Sequence, residues 1–211
     1  MLAAIRKNGL TLALFACAST GLVAVTHYLT EDRINLQEKA QLLSILNQVI
    51  PKELHDNDLY QSCSLVTSES LGTNDPMPAY FATLNGEPSG IAIEAIAPDG
   101  YNGTIKVIVG ISTTGEVTGT RVLSHKETPG LGDKIDLRVS DWILSFNGKT
   151  VTESNLDTWK VRKDGGQFDQ FTGATITPRA VVGAVKNTVG FVIKNQHELV
   201  NQAFNCGGSN D

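Results

Sequence analysis

A chain of 211 residues is long enough for one domain and an anchor. Its hydrophobic fraction of 41% suits a globular core and excludes a protein of many membrane spans. The net charge of −5, with no block of Lys and Arg, excludes a nucleic-acid partner, because neutralising phosphates takes clustered cations.

The run from Leu10 to Leu29 has no Asp, Glu, Lys or Arg. At about 1.5 Å per residue it covers roughly the 30 Å of a bilayer core, which predicts a transmembrane helix over residues 10–29 behind a short terminus, 1–9. Small residues within it (Ala13, Ala16, Ala18, Ser19, Gly21, Ala24) suit helix packing in a membrane. Arg6 and Lys7 precede the run, and Glu31 and Asp32 follow it. The positive-inside rule therefore places the N-terminus in the cytoplasm and the rest outside. A cleaved signal peptide would carry a shorter apolar region. A lipid-attachment signal at Leu14-Phe15-Ala16-Cys17 is a poor fit at Phe15, and cleavage before Cys17 would leave an apolar stretch where a polar tether belongs.

Thr30 to Ile50 reads as a helix continuing from the span. Ile34, Leu36, Ala40, Leu43, Leu46, Val49 and Ile50 lie on roughly one face, and Pro51 ends it. Residues 52–78 carry a mixed signal, a short strand or an irregular link. Residues 30–78 are thus expected to be a helical linker and the start of the outer domain, and 79–204 the domain itself. Ala79–Leu84 and Gly90–Ile96 flank Asn85-Gly86, a strong hairpin signal. Thr104–Ile111 and Val117–Leu123 flank Thr113-Thr114-Gly115-Glu116 and form a second hairpin. Val139–Phe146 is expected to be a short helix with Ser140-Asp141 at its start and Asn147-Gly148 at its end. Trp159–Arg162 is expected as a short strand before the turn Asp164-Gly165-Gly166, and Trp142 and Trp159 as core or edge aromatics. Pro178–Lys194 is the clearest helix, with Val181, Ala184, Val185, Thr188, Val189, Val192 and Ile193 on one face. Residues 205–211, rich in Gly, Ser and Asn, are expected to be a flexible tail. The fold class is α+β: a twisted sheet with surrounding helices on one N-terminal transmembrane helix.

Three cysteines are present. Cys17 lies in the span. Cys63 and Cys206 lie near the two ends of the outer domain, where two readings stand: a disulfide closing a long loop, or two unpaired thiols. Without a C-x-x-C or Cys/His cluster, no metal site is expected. His125 beside Glu127 reads as a partly exposed histidine, since a metal needs three or four converging ligands.

The sharpest local feature is Asp169-Gln170-Phe171-Thr172-Gly173-Ala174-Thr175-Ile176-Thr177-Pro178. Physically it is a loop delivering hydroxyls and N–H groups to the start of a helix, with Thr177 expected as N-cap and Pro178 as the first helical residue. Gly173 and Ala174 are small enough to admit a phosphate, and a helix N-terminus stabilises one. Taken alone, the local sequence favours ordinary capping by Thr175 or Thr177, because capping threonines are common. A second segment, Ser124-His125-Lys126-Glu127-Thr128-Pro129-Gly130-Leu131-Gly132-Asp133, offers close backbone approach at Gly130 and Gly132, and acceptors and a hydroxyl at Glu127 and Thr128 able to hydrogen-bond a ring system. Its bland reading is a solvated turn.

The stretch Asp169 to Thr175 resembles the flavinylation motif of the FMN-binding domain family. Glu127-Thr128-Pro129-Gly130-Leu131-Gly132 and Gly100-Tyr101-Asn102-Gly103-Thr104-Ile105 resemble two further stretches of that family. The whole chain is similar to the G-type subunits of Rnf/Rsx ion-translocating electron-transport complexes. The sister candidate is the C-type subunit of sodium-pumping NADH:quinone reductases, and a non-redox module binding a phosphorylated ligand is the alternative of another class. The resemblance implies FMN joined through its phosphate to Thr175 by a flavin transferase that recognises Asp169, Gly173 and Ala174. Thr172, Gly173, Ala174, Thr177, Glu127, Thr128, Gly130, Leu131 and Gly132 are expected to contribute to binding that cofactor. It also implies a bacterial inner-membrane location with a periplasmic domain, membrane and iron–sulfur subunits as partners, and electron transfer as the role.

Overall fold

The computed structural model describes residues 2–206. It divides into two compact units, the first ending at Leu42 and the second beginning at Leu43. Helix α1, Leu2–Val49, makes up the first unit and enters the second.

Within α1 the segment Ile5–Glu31 is long and apolar enough to cross a membrane. Its large apolar side chains, Leu10, Leu12, Leu14, Phe15, Leu22 and Val23 among them, are all exposed. In water that exposure would be costly; against lipid tails it is not. Four hydroxyls of the segment point the same way. Thr11, Ser19, Thr26 and Thr30 each donate to a carbonyl three or four residues back, at 2.8–3.0 Å, and so need no water.

The second unit is built on five strands: β1 (Cys63–Ser68), β2 (Thr73–Leu84), β3 (Glu87–Ala97), β4 (Ile105–Ser112) and β5 (Val117–Ser124). They form one antiparallel sheet in the order of the chain. Asn85 and Gly86 join β2 to β3 with φ of 55° and 82°, the positive pair that a tight hairpin turn requires. On the front face Ile93 pairs with Val109, and Ala95 with Val107. Helix α2, Ile176–Val200, lays Val181, Val185, Val189 and Val192 over that face. Each buried valine is worth up to about 1.5–3 kcal/mol, so this contact is a substantial contribution to the stability of the unit.

The back face meets the end of α1. Gly110 and Gly119 are cross-strand partners on β4 and β5. A Cβ on Gly110 would stand 2.1 Å from the Val49 carbonyl oxygen, and one on Gly119 2.7 Å from the Val49 Cα. The two glycines thus form a notch for the last turn of α1. Thr118 donates its hydroxyl to the Val49 carbonyl, and Arg121 Nε donates to Gln48 Oε1 at 2.9 Å. Leu46, Val49 and Ile50 are buried. Further along the same face Lys106 pairs with the buried Glu94 at 2.5 Å, and Tyr80 donates to Glu94 at 3.4 Å. Burial and the adjacent carboxylate hold the Tyr80 phenol well above its ordinary range.

The four expected strands are present, and each hairpin falls where its turn residues lie. Residues 52–78 contribute more than a link: they supply β1 and the first half of β2. The Val139–Phe146 helix is a 3₁₀ helix, Asp141–Phe146, capped by the Ser140 hydroxyl on the Trp142 N–H. Trp159–Arg162 is not a strand. Two 3₁₀ turns, Leu156–Thr158 and Arg162–Asp164, bracket it, and only Val161 bridges to Phe168. The chain turns twice in nine residues, which leaves no length for a ladder, and the buried Trp159 ring packs on Phe146 and Phe168 instead.

The expected free tail is fastened at its start. The Asn205 N–H donates to the Cys63 carbonyl at 2.8 Å, and the Asn205 side chain accepts from the Leu65 N–H at 2.8 Å. Cys63 and Cys206 are disulfide-linked with Cα atoms 5.2 Å apart. β1 is an edge strand whose open backbone groups attract any segment able to pair with them. Residues 207–211 of that expectation lie outside the described residues.

Candidate functional site

Helix α2 begins two residues earlier than the pattern of its sequence predicts, at Ile176. Thr175 occupies the N-cap position, and its side chain makes no capping hydrogen bond. Thr177 lies inside the first turn, fully buried, and donates its hydroxyl to Glu127 Oε2 at 2.5 Å. The expectation that Thr177 caps the helix fails for that reason: a buried carboxylate competes for its hydroxyl. Pro178 is then the third helical residue, where its missing N–H still costs no intrahelical bond.

The loop before the helix is a tight turn. Ala174 N–H donates to the Phe171 carbonyl at 3.1 Å, and Gly173 takes φ 82°, a conformation that glycine adopts without strain. A cluster of aromatic rings, packed largely edge to face, fixes this turn from beneath. Phe171 lies 5.2 Å from Trp142, Trp142 5.4 Å from Phe146, and Phe146 4.6 Å from Phe168. The Trp142 indole N–H donates to the Asp169 carbonyl at 2.8 Å, while the Asp169 carboxylate is exposed and meets Arg162 at 3.1 Å.

The second segment closes on the first through Glu127. This carboxylate is 5% exposed, yet no Lys or Arg among the described residues pairs with it. Neutral donors hold it instead: the Asn102 N–H on Oε1 at 3.1 Å and the Thr177 hydroxyl on Oε2. Gly132 has no room for a side chain, since a Cβ there would stand 2.7 Å from Glu127 Oε2 and 2.8 Å from the Thr177 hydroxyl. His125 Nδ1 accepts from the Glu127 N–H at 3.2 Å, and its Nε2 faces Asp136 at 3.8 Å. The Arg138 hydrogen bonds to Asp136 are the main cause holding that carboxyl below the usual range.

Together the segments enclose a cavity of about 290 Å³ lined by Tyr101, Glu127, Thr128, Leu131, Gly132, Gly173, Ala174, Thr175, Ile176 and Thr177. Eight of the residues that the sequence singles out therefore meet there. Gly130 sits at the tip of its turn, Thr172 is exposed on the outside, and neither lines the cavity. Tyr101 and Ile176 line it without having been expected to. Ile176 is 45% exposed, an exposure that its sequence position does not disclose.

The lining contains one carboxylate and no cation. Arg179, in the first turn of α2, is bound to Asp164 through two hydrogen bonds of 2.7 and 2.9 Å and lines a neighbouring groove. What the cavity offers an anion is the end of a 25-residue helix, whose first N–H groups lack intrahelical partners, and the Thr175 hydroxyl. Worth about 0.3–1 kcal/mol per charge at an exposed helix end, this favours a phosphate without holding one firmly. The volume lies near the lower end of small-molecule sites, about 300–1,000 Å³, so a flavin nucleotide seated here would project beyond the walls. The fit is of that kind: a phosphate-sized seat at Thr175 beneath an open apolar rim.

Comparison with known proteins agrees with this geometry. Residues 100–190 match the FMN-binding domain, which spans both cavity segments, and residues 1–49 match the RnfG N-terminal region, which corresponds to α1. The molecule is thus an FMN-binding domain carried behind an N-terminal apolar helix. The chain is 74% identical over 208 residues to the G-type subunit of the ion-translocating oxidoreductase complex of Vibrio atlanticus. It is 70% identical over 210 residues to that of Vibrio parahaemolyticus, and 65% over 208 residues to that of Vibrio cholerae. Each alignment takes in at least 99% of this chain and 100% of the relative. The chain belongs to the family of G-type subunits of ion-translocating oxidoreductase complexes.

Proposed function

We propose that this chain carries FMN as a phosphoester on Thr175 and relays electrons among the other membrane and iron–sulfur subunits of an ion-translocating complex. The observation that carries the reading is the state of Thr175. Its hydroxyl borders a cavity of about 290 Å³ at a helix N-terminus, and its side chain is not spent on capping. Thr177, two residues on, is buried and committed to Glu127, which leaves Thr175 as the available oxygen of the pair.

The absence of a cation from the cavity lining favours a covalent link over tight ionic binding. Once bound, FMN would supply reversible electron uptake, and the chain would supply position and environment. Glu127 keeps the Gly100–Gly103 turn and the first turn of α2 in register by accepting from both. The turn at Phe171–Ala174 presents Thr175, and exposed Asp169 is available to a flavin transferase. With Arg6 and Lys7 on the cytoplasmic side, the domain would face the periplasm of a bacterial inner membrane.

The test is peptide mass spectrometry on full-length protein made with an active flavin transferase. The expected result is an FMN adduct on the peptide containing Thr175, absent from Thr175→Ala. Unmodified Thr175 in protein from transferase-active cells overturns the proposal.

A further inference from the structure

The walls of the cavity divide by chemistry. Hydroxyls, glycines and the helix end lie around Thr175. At the rim stand three large side chains that folding leaves uncovered: Tyr101 at 68% exposure, Ile176 at 45% and Leu131 at 41%. Single exposed apolar residues need no explanation, but three around one opening form a patch.

Tyr101 is the most exposed of them and the least accounted for by the fold. It makes no hydrogen bond, ion pair or ring contact with any described residue. Yet the turn that carries it is held firmly. Asn102 donates its N–H to Glu127 Oε1 at 3.1 Å and its side-chain amide to the Lys126 carbonyl at 2.7 Å. Gly100 is packed so closely that a Cβ would stand 2.2 Å from the Gly103 carbonyl oxygen and 3.0 Å from Glu127 Oε1. A rigid turn that holds out an unpartnered aromatic ring beside a cavity suits a planar ligand: the backbone that carries the ring is already ordered, and a tyrosine has only two side-chain torsions to fix when the ring is covered.

Resting on the reading of Thr175 as the FMN attachment point, we infer that Tyr101 is the aromatic contact for the isoalloxazine ring, with Leu131 and Ile176 as its apolar companions. Covering the three side chains removes apolar surface from water, and a phenol lying against an electron-poor ring adds the preference of aromatic groups for stacking. The phosphate bond fixes one end of the cofactor, and Tyr101 fixes the other.

Flavin emission reads this contact directly. A tyrosine in contact with an excited flavin gives it an electron and takes the electron back, so light is lost and nothing is consumed. Wild type, Tyr101→Leu and Tyr101→Trp are prepared full length with the transferase, and the adduct on Thr175 is quantified in each by mass. Emission per bound flavin and visible circular dichroism are then measured. The expected result is weak emission in wild type and in Tyr101→Trp, and a several-fold rise with a reduced dichroic band in Tyr101→Leu at equal loading. Unchanged emission and dichroism in Tyr101→Leu with the adduct present on Thr175 overturn this inference alone. A wild type with no adduct on Thr175 overturns the parent reading, and this one with it.

Discussion

Thr175 and Thr177 lie two residues apart, and replacing each by valine should give opposite phenotypes. Valine keeps the shape of threonine and removes only the hydroxyl. At Thr177 the loss is energetic. The side chain is 0% exposed and its hydroxyl supplies Oε2 of a carboxylate that is itself 5% exposed. A hydrogen bond to a charged group contributes about 1.5–3 kcal/mol, so Thr177→Val should cost about 2 kcal/mol. For a unit of this size that is a fall in Tm of about 4–8 °C. At Thr175 no capping bond is lost, and the change should stay within about 0.5 kcal/mol. The flavin behaves the other way. Thr175→Val should be colourless, and folded Thr177→Val should retain the adduct. The assay is thermal and urea unfolding of detergent-solubilised full-length protein, with visible absorbance of the denatured chain as the measure of bound flavin. A double-mutant cycle with Glu127→Gln should show coupling above about 0.5 kcal/mol for Thr177 and none for Thr175. Equal stability of the two valine variants, or no coupling at Thr177, would refute the assignment of Thr177 to structure.

Gly110→Ala should push a Cβ against the Val49 carbonyl and cost about 1–3 kcal/mol; protease cleavage around residue 50 should rise with it, and an unchanged cleavage rate would contradict the notch. Cys63→Ser should lower stability by up to about 5 kcal/mol in a chain-entropy treatment of a 143-residue separation, and a non-reducing peptide map should link Cys63 to Cys206; alkylation of both thiols in unreduced protein would count against the pairing. Asp136 has its carboxyl depressed in the folded state, so its contribution is present above the unfolded value of about 3.9 and is lost as pH falls through the folded one. Arg138→Ala should therefore flatten the acid limb of the stability profile below about pH 4, which thermal melts across pH will read. A reporter active only in the periplasm, fused after Asp211, should be active; activity of a cytoplasmic reporter there would invert the topology.

Much of this was legible in the residues. Asn85-Gly86 fixes a hairpin because few other pairs accept two positive φ angles, and the valines of α2 repeat at the helical period. Thr175 and Glu127 stood out as candidate site residues through the family resemblance of their segments, since the local residues alone also read as a helix cap and a solvated turn. What was not legible depends on partners distant in sequence. Whether Thr177 caps its own helix or serves Glu127, 50 residues away, is decided by burial. The Trp159 segment has strand-like composition, but the aromatic cluster holds it in turns. The first strand lies in a stretch that reads either as a short strand or as a link, because its three buried, two exposed and one half-buried residues do not alternate. Tyr101 was legible only as part of a turn, since exposure beside a cavity is a property of the folded chain.

The order of the strands bears on when the site can exist. Each strand pairs with its successor in the chain, so the sheet can form progressively from β1 to β5 with short closures. The cavity cannot. One wall comes from residues 101–132, and the other from Gly173, Ala174, Thr175 and the start of a helix at Ile176, after the last strand and the aromatic cluster. Until α2 docks, Glu127 lacks the Thr177 hydroxyl, and Thr175 has no cavity beside it. A modification of Thr175 that depends on that cavity is therefore also an inspection: only a chain that has completed its last helix presents the threonine in the form to be modified.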